Sequence, residues 1–226
     1  MKKKKFILGL GAQKAGTSWL YNYFNSRDDF FSGFMKEYHI FDAPKHGKIF
    51  QRFLLRSISK MIEEKPKLWS INKDLMKLSM FINIDNYYNY FRDNMIVKEK
   101  IFSADITPAY AHLKKQDLLE IKQSFERRDI KVIPVFLMRD PVDRLRSLAK
   151  MKIGLRDPNK KVSKKRELQE MKKIVGTKED LIRSNYSSTH REIKEAFGKD
   201  AFFSLYENLF NSAEIKRLCE LIGIPF

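Results

Sequence analysis

Short apolar runs alternate along this chain with longer stretches of helical periodicity. Lys5–Leu10 reads as a buried strand, and Thr17–Asn25 as a helix with Trp19, Leu20, Tyr23 and Phe24 at its apolar positions. Tyr38–Phe41 reads as a short extended piece, Ile49–Ile62 as an amphipathic helix, and Asp85–Phe91 as a tyrosine-rich helix whose Tyr87, Tyr88, Tyr90 and Phe91 either line an acceptor cleft or, as is commoner at that spacing, belong to the core. Ile101–Ala104 is a second strand candidate. Gln116–Arg127 is helical, with Leu118, Leu119, Ile121 and Phe125 at compatible spacings. Ile130–Met138 is the clearest strand, apolar nearly throughout as a central parallel strand should be, although Pro134 inside it suggests a bulge or an edge. Asp140 and Pro141 then supply an N-cap and a proline at the first position of a helix reaching about Lys152. Glu179–Phe197 reads as a helix, Ala201–Leu205 as a strand and Ala213–Ile222 as a terminal helix. This alternation predicts an α/β fold with a central, mostly parallel sheet flanked by helices. Ligands bind such sheets where strand ends meet helix starts.

Composition narrows the classes without choosing one. A chain of 226 residues, 43% of them hydrophobic, fits one globular domain with a substantial core. The formal net charge of +17 attracts polyanions, though runs such as Lys2–Lys5 and Lys160–Arg166 read as solvated faces and tails. A single cysteine, Cys219, excludes a disulfide framework and reads as a small buried hydrophobe. Lys2–Lys5 followed by Phe6–Leu10 imitates the start of a signal peptide. The apolar run stops short of the roughly 7–15 residues a secretory segment needs, so that reading is rejected. No stretch approaches the ~18 apolar residues of a membrane span, and a cytoplasmic location is the default expectation.

The chemistry begins at Gly9-Leu10-Gly11-Ala12-Gln13-Lys14-Ala15-Gly16-Thr17-Ser18, which follows a strand and opens a helix. Small residues let backbone amides approach an anion, and the helix start adds unpaired N–H groups and a positive dipole end. Gly11 and Gly16 keep the spacing of the nucleotide-triphosphatase loop, but Thr17 stands where that loop has its lysine. The lysine is at position 14 instead, a shift that weighs against ATP or GTP hydrolysis. Far downstream, Val135–Ser147 offers a second anion signature. Arg139 closes a strand with a planar guanidinium, and Ser147 lies about two turns into the next helix, on the face of Asp140 and Arg144.

Gly11–Leu20 resembles the 5′-phosphosulfate loop of sulfotransferases that use 3′-phosphoadenosine-5′-phosphosulfate (PAPS), and Val135–Ser147 resembles their 3′-phosphate motif. The resemblance implies a P-loop nucleotide-kinase-like, three-layer architecture and PAPS as co-substrate. It implies that Lys14 contacts the bridging oxygen and sulfuryl group, and that Gln13, Ala15, Gly16, Thr17 and Ser18 surround the 5′-phosphate. Arg139 and Ser147 take the 3′-phosphate, and Arg144 matches a more often structural arginine. Lys36-Glu37-Tyr38-His39-Ile40-Phe41-Asp42 puts a carboxylate and an imidazole on one side of an extended segment. It resembles the K-E-x-H-F-F-D stretch of carbohydrate O-sulfotransferases related to the heparan sulfate enzymes. That likeness makes Glu37 the base and His39 its support, with Lys36 touching either the substrate or the sulfuryl oxygens. Asp105-Ile106-Thr107-Pro108-Ala109-Tyr110 resembles the E-K-T-P-A-Y segment of the same group, with Ile106 where the group has a lysine. Asp105 is accordingly either structural or substrate-facing, and assignment to heparan sulfate is unjustified. Arg183–Asn208 resembles the group's late helix and strand, with Tyr186 as core.

The resemblance runs from Phe6 to about Ile222 and predicts a single domain over 1–226, truncated before the basic loop that covers the 3′-phosphate or covered by another element. The expected reaction is direct in-line transfer of a sulfuryl group to a hydroxyl, on an acceptor that an anionic glycan would exemplify. No metal is expected, since His39, His46, His112 and His190 lack matching ligands. Two rivals stand beside this. A P-loop kinase or triphosphatase would need magnesium and ATP. A non-enzymatic polyanion binder would need only the charge, and no helix-turn-helix, zinc-finger or RNA-binding signature supports specific nucleic-acid binding.

Overall fold

A computed structural model describes residues 3–46, 55, 68–158 and 162–226. Five parallel strands, β1 (Lys4–Gly9), β2 (Phe30–Phe31), β3 (Phe102–Ile106), β4 (Ile130–Met138) and β5 (Phe202–Leu205), form a sheet in the order β2-β3-β1-β4-β5. The described helices are α1 (Thr17–Asn25), α2 (Leu68–Ile82), α3 (Ile84–Val97), α4 (Lys115–Glu126), α5 (Pro141–Arg156), α6 (Lys164–Ile174), α7 (Lys178–Ser184), α8 (Tyr186–Phe197) and α9 (Ser212–Ile222). The apolar run after the N-terminal lysines is thus the central strand, with Phe6, Ile7 and Leu8 fully buried.

Alternation along β1 sends Phe6 and Leu8 to one face and Ile7 to the other, β3 adds Phe102, Ala104 and Ile106 to one of them, and each face is covered. On one face Phe6 stacks on Phe125 of α4 at 4.2 Å between ring centroids and meets Phe91 of α3 at 4.7 Å. On the other, Phe102 meets Phe24 of α1 at 5.2 Å, and Tyr23 of α1 reaches Cys219 of α9 at 3.3 Å. Helix, sheet and helix layers follow, and the expected α/β architecture is present. Tyr87, Tyr88 and Phe91 are buried as core residues.

Several expectations need correction. Pro134 makes neither a bulge nor an edge of β4, for it stays in register opposite Leu8 inside the sheet. Leu10 donates to the Val135 carbonyl and Leu137 donates to Gly11, so those residues face β1 and Pro134 faces the other side. There, pairing with β5 begins only at Val135, and the missing N–H of Pro134 has no ladder bond to lose. The segment Tyr38–Phe41 pairs with no strand; its backbone is held by side chains described below. Glu179–Phe197 is two helices, broken at Asn185, whose side chain caps α8 by accepting from the Ser188 N–H. The basic stretch after Lys160 is no tail, since Lys164–Ile174 is α6 and its Glu167 accepts from Arg146 at 2.8 Å. The helix expected over Ile49–Ile62 lies, Leu55 apart, outside the described residues. Among the described residues no helix is long and apolar enough to cross a membrane.

The start of α5 forms as its sequence indicates. Asp140 caps it by accepting from Val142 and Asp143, with Pro141 at the first position. Arg144 one turn on is 1% exposed and donates to Asp180 at 2.6 Å and to Ser184 at 2.7 Å, joining α5 to α7. Removing one partner of such a buried pair strands the other charge. Asp180→Ala is expected to lower stability by about 3–5 kcal/mol in a denaturant titration. A loss below about 1 kcal/mol would mean that the pair does not anchor α7.

Candidate active site

The β1–β4 ladder runs on past the end of β1. Leu10 donates to Val135 at 2.9 Å, Leu137 donates to Gly11 at 2.8 Å, and Ala12 donates to Leu137 at 2.6 Å. The loop thereby stays pinned to the end of β4 before it turns into α1. At the turn, Gly16 is the N-cap with φ 89°, and a Cβ there would lie 2.6 Å from Leu209, so only glycine fits. Gly9 is equally constrained, since a Cβ would lie 2.8 Å from the Ile106 backbone. The cap provides no side-chain acceptor and the first turn of α1 carries no acidic residue. Its leading N–H groups and dipole are left for an external anion.

A cavity of about 550 Å³ opens over this turn. Its walls include Gln13, Lys14, Gly16, Thr17 and Ser18 of the loop, Lys36, Glu37 and His39, and Arg139 and Ser147. Residues from three distant segments with expected roles therefore meet in one space. Two do not reach it. Ala15 is fully buried beneath the loop, so any contribution it makes is through its backbone. Asp105 is also fully buried and outside the lining, so of its two expected roles the substrate-facing one is not met.

Lys14 adopts φ 70°, its carbonyl accepts from Arg139 Nη1 at 3.2 Å, and its ammonium contacts Met151 Sδ at 3.7 Å. Burial lowers the Lys14 pKa, and the neighbouring charges of Arg139 and Lys36 lower it further. Such a cation is eased by an incoming anion. Arg139 stacks its guanidinium on the Tyr206 ring at 4.1 Å, which fixes the plane of the fork. Its Nε, like Gln13 Oε1, is buried with no hydrogen-bond partner. These orphaned groups suit a polar ligand that completes them. Lys36 bridges the walls, donating to Glu37 Oε1 at 2.8 Å, Ser18 Oγ at 3.2 Å and Thr17 Oγ1 at 3.4 Å.

Glu37 and His39 do face one another, although through a left-handed residue rather than an extended strand: His39 has φ 56° and its Nε2 lies 3.5 Å from Glu37 Oε2. Its Nδ1 lies 2.9 Å from Asp42 Oδ2. Burial pushes His39 down, but hydrogen bonds and charge from Asp42 and Glu37 win, leaving it pushed up to about 9. For Glu37 burial pushes up, and His39 and Lys36 more than offset it, so its carboxyl is held below its ordinary value. The carboxylate is therefore ionised at neutral pH and has the charge state of a proton acceptor, while the same contacts that keep it ionised weaken it as a base.

Residues not singled out from sequence complete the walls: Trp19, Pro108, Ala109, Met151, Arg183, Tyr206 and Phe210. Trp19 and Phe210 meet edge to face at 5.2 Å and give this wall of the cavity an aromatic surface. Tyr206 directly follows β5, so the strand-end rule could have found it. Nothing in the sequence distinguishes Arg183 from other helical arginines. Among the described residues no group of three or more His, Cys, Asp and Glu could hold a metal.

No family model matches the chain, and no curated protein sequence matches it significantly. Among solved structures, the crystal structure of a sulfotransferase from Alicyclobacillus acidocaldarius is similar, with a TM-score of 0.61 and 19% identity over 100% of this chain and 83% of that one. The chain therefore has the fold of that sulfotransferase, with helices on both faces of a parallel sheet.

The raised His39 pKa carries a pH signature. Its folded value of about 9 exceeds the ordinary 6.5, so protonation of His39 stabilises the fold fully below about pH 6.5, and that contribution disappears as pH rises through about 9. The melting-temperature gap between wild type and His39→Gln is expected to be largest near the low end of this window and to close across it. A gap independent of pH would contradict the Asp42–His39–Glu37 arrangement.

Proposed function

We propose that this protein is a sulfotransferase that moves a sulfuryl group from PAPS to the hydroxyl of an acceptor. The observation that carries the reading is the convergence, in one cavity, of an anion-accepting helix start, the displaced Lys14, the Arg139–Ser147 pair and an ionised Glu37 beside His39. The likeness of fold supports it as well. A donor with phosphates at both its 5′ and 3′ positions needs two anion sites joined by a surface for a base. The loop with α1, the Trp19–Phe210 surface, and Arg139 with Ser147 answer that need.

When bound, PAPS supplies an activated sulfuryl group. The residues then have distinct tasks. Thr17, Ser18 and the first amides of α1 hold the 5′-phosphate, and Arg139 and Ser147 hold the 3′-phosphate. Glu37 takes the acceptor's proton as its oxygen bonds to sulfur and the bond from sulfur to the bridging oxygen breaks. Lys14 meets the charge growing on that departing oxygen. His39, held by Asp42, keeps Glu37 ionised and aimed. Lys36 supplies a cation beside the sulfuryl oxygens.

A general base contributes on the order of 10²–10⁴-fold, so Glu37→Gln is expected to reduce turnover by that factor with donor affinity spared. Near-normal turnover in that variant, with chemistry limiting, would sink the assignment. In thermal melts, 3′,5′-adenosine bisphosphate at ~100 times its dissociation constant should add ~2.7 kcal/mol to stability, and Arg139→Ala should abolish the shift. Stabilisation by magnesium-ATP alone would favour a kinase or triphosphatase instead.

A further inference from the structure

Beneath the cavity lies a charged group that the proposed chemistry leaves unused. Asp105, at the end of β3, is fully buried, yet each of its oxygens accepts two hydrogen bonds. Thr107 Oγ1 donates to Oδ1 at 2.6 Å, and the Tyr38 N–H donates to the same oxygen at 3.2 Å. The hydroxyls of Tyr87 and Tyr110 both donate to Oδ2 at 2.8 Å. The Tyr110 hydroxyl has a second task, accepting from the Ile40 N–H at 3.0 Å.

These bonds bracket one residue. Tyr38 and Ile40 are the neighbours of His39, whose φ of 56° lies in the left-handed region that non-glycine residues avoid. Such a conformation persists only where the surroundings over-determine it. Here they do so through one carboxylate, which grips the backbone before His39 directly and the backbone after it through Tyr110. The Ile106 N–H adds a bond to the Lys36 carbonyl at 2.9 Å, just ahead of Glu37. The end of β3 thus fixes both ends of the segment that presents Glu37 and His39 to the cavity.

We infer that Asp105 is the positioning residue of the Glu37–His39 pair, holding the turn at His39 from both sides through Tyr38 and through Tyr110. The inference takes from the proposed function that Glu37 and His39 are the acid–base pair, and its structural part stands independently of it. Burial pushes the Asp105 carboxyl above its ordinary value against the pull of its four donors, so the site retains a group that is costly to bury. Four donors converging on two oxygens is an arrangement that asparagine, with one oxygen and an NH₂, cannot satisfy.

The test follows His39 itself. Its imidazole faces Asp42 and Glu37, and those contacts hold its pKa at about 9. In an NMR titration of the imidazole signals, assigned with His39→Gln, the His39 midpoint is expected to fall toward the ordinary value in Asp105→Asn and also in Tyr110→Phe. Tyr110→Phe removes only the bridging hydroxyl and serves if the asparagine variant does not fold. Turnover in both should drop about 10–100-fold, as for a displaced reacting group, with bisphosphate affinity within about twofold of wild type. Tyr87→Phe removes a donor to the same oxygen that does not touch the Tyr38–Ile40 backbone. It should lower the melting temperature and leave the His39 midpoint in place. An unmoved midpoint in folded Asp105→Asn and Tyr110→Phe would overturn the inference, as would an equal shift in Tyr87→Phe. Failure of wild type to bind the bisphosphate would count against the sulfotransferase reading alone, and the titration would still decide the role of Asp105.

Discussion

The arrangement of the cavity depends on β1 and β4 being hydrogen-bonded neighbours. The motifs at Lys14 and Arg139 are 125 residues apart in the chain. They meet because the two strands run parallel and side by side, and because the ladder continues past Gly9 through Leu10 and Ala12. The last element of that seam is the bond from Arg139 to the Lys14 carbonyl, which ties the side chain of one motif to the backbone of the other. Small-residue requirements at Gly9 and Gly16 follow from the same closeness, since β3 crowds one and Leu209 the other. A parallel sheet delivers all its strand ends, with the loops that follow them, to one edge. The segment after β3 can for that reason hold the Glu37–His39 turn while the loop after β1 faces it.

Electrostatics gives the cavity its character. Lys14, Lys36, Arg139 and Arg183 line it, against Glu37 as the one carboxylate among the lining residues. The overall charge of +17 does not locate this site, because much of the surplus lies on helices such as α6, where Glu167 and Glu170 already pair with neighbouring cations. What distinguishes the cavity is cations held close together by packing: Arg139 by the Tyr206 ring and Lys14 by its partly buried backbone turn. A multiply charged anion, as proposed for this site, would relieve their mutual repulsion and so link ligand binding to stability.

Much of this was legible in the sequence. Apolar runs marked β1 and β4 because central parallel strands are buried on both faces, and Asp140–Pro141 marked the start of α5 because capping chemistry is local. The loop at Gly11–Ser18 was visible for the same reason. Less legible were features that exist only through tertiary contacts. The two-residue strand β2 is too short for any periodicity, and α6 is so rich in Lys and Arg that its buried face shows only as Glu167, Glu170 and Ile174. The left-handed turn at His39 gave no local sign either, because the groups that impose it, Asp105 and Tyr110, lie 67 and 70 positions from their backbone partners. Arg183 was hidden likewise, because whether its helix α7 turns it toward the cavity depends on how α7 packs, and Arg144–Asp180 joins α7 to α5.

In the proposed function, the β1–β4 seam supports two separate anion sites matched to a single nucleotide. Titration calorimetry comparing 3′,5′-adenosine bisphosphate with adenosine 5′-monophosphate tests it most directly, since the ligands differ only by the group assigned to Arg139 and Ser147. The bisphosphate is expected to bind at least about tenfold more tightly, equivalent to roughly 1.4 kcal/mol, with the advantage reduced in Ser147→Ala. Equal affinity for the two ligands would contradict the account, because the second anion site would then have no ligand to hold.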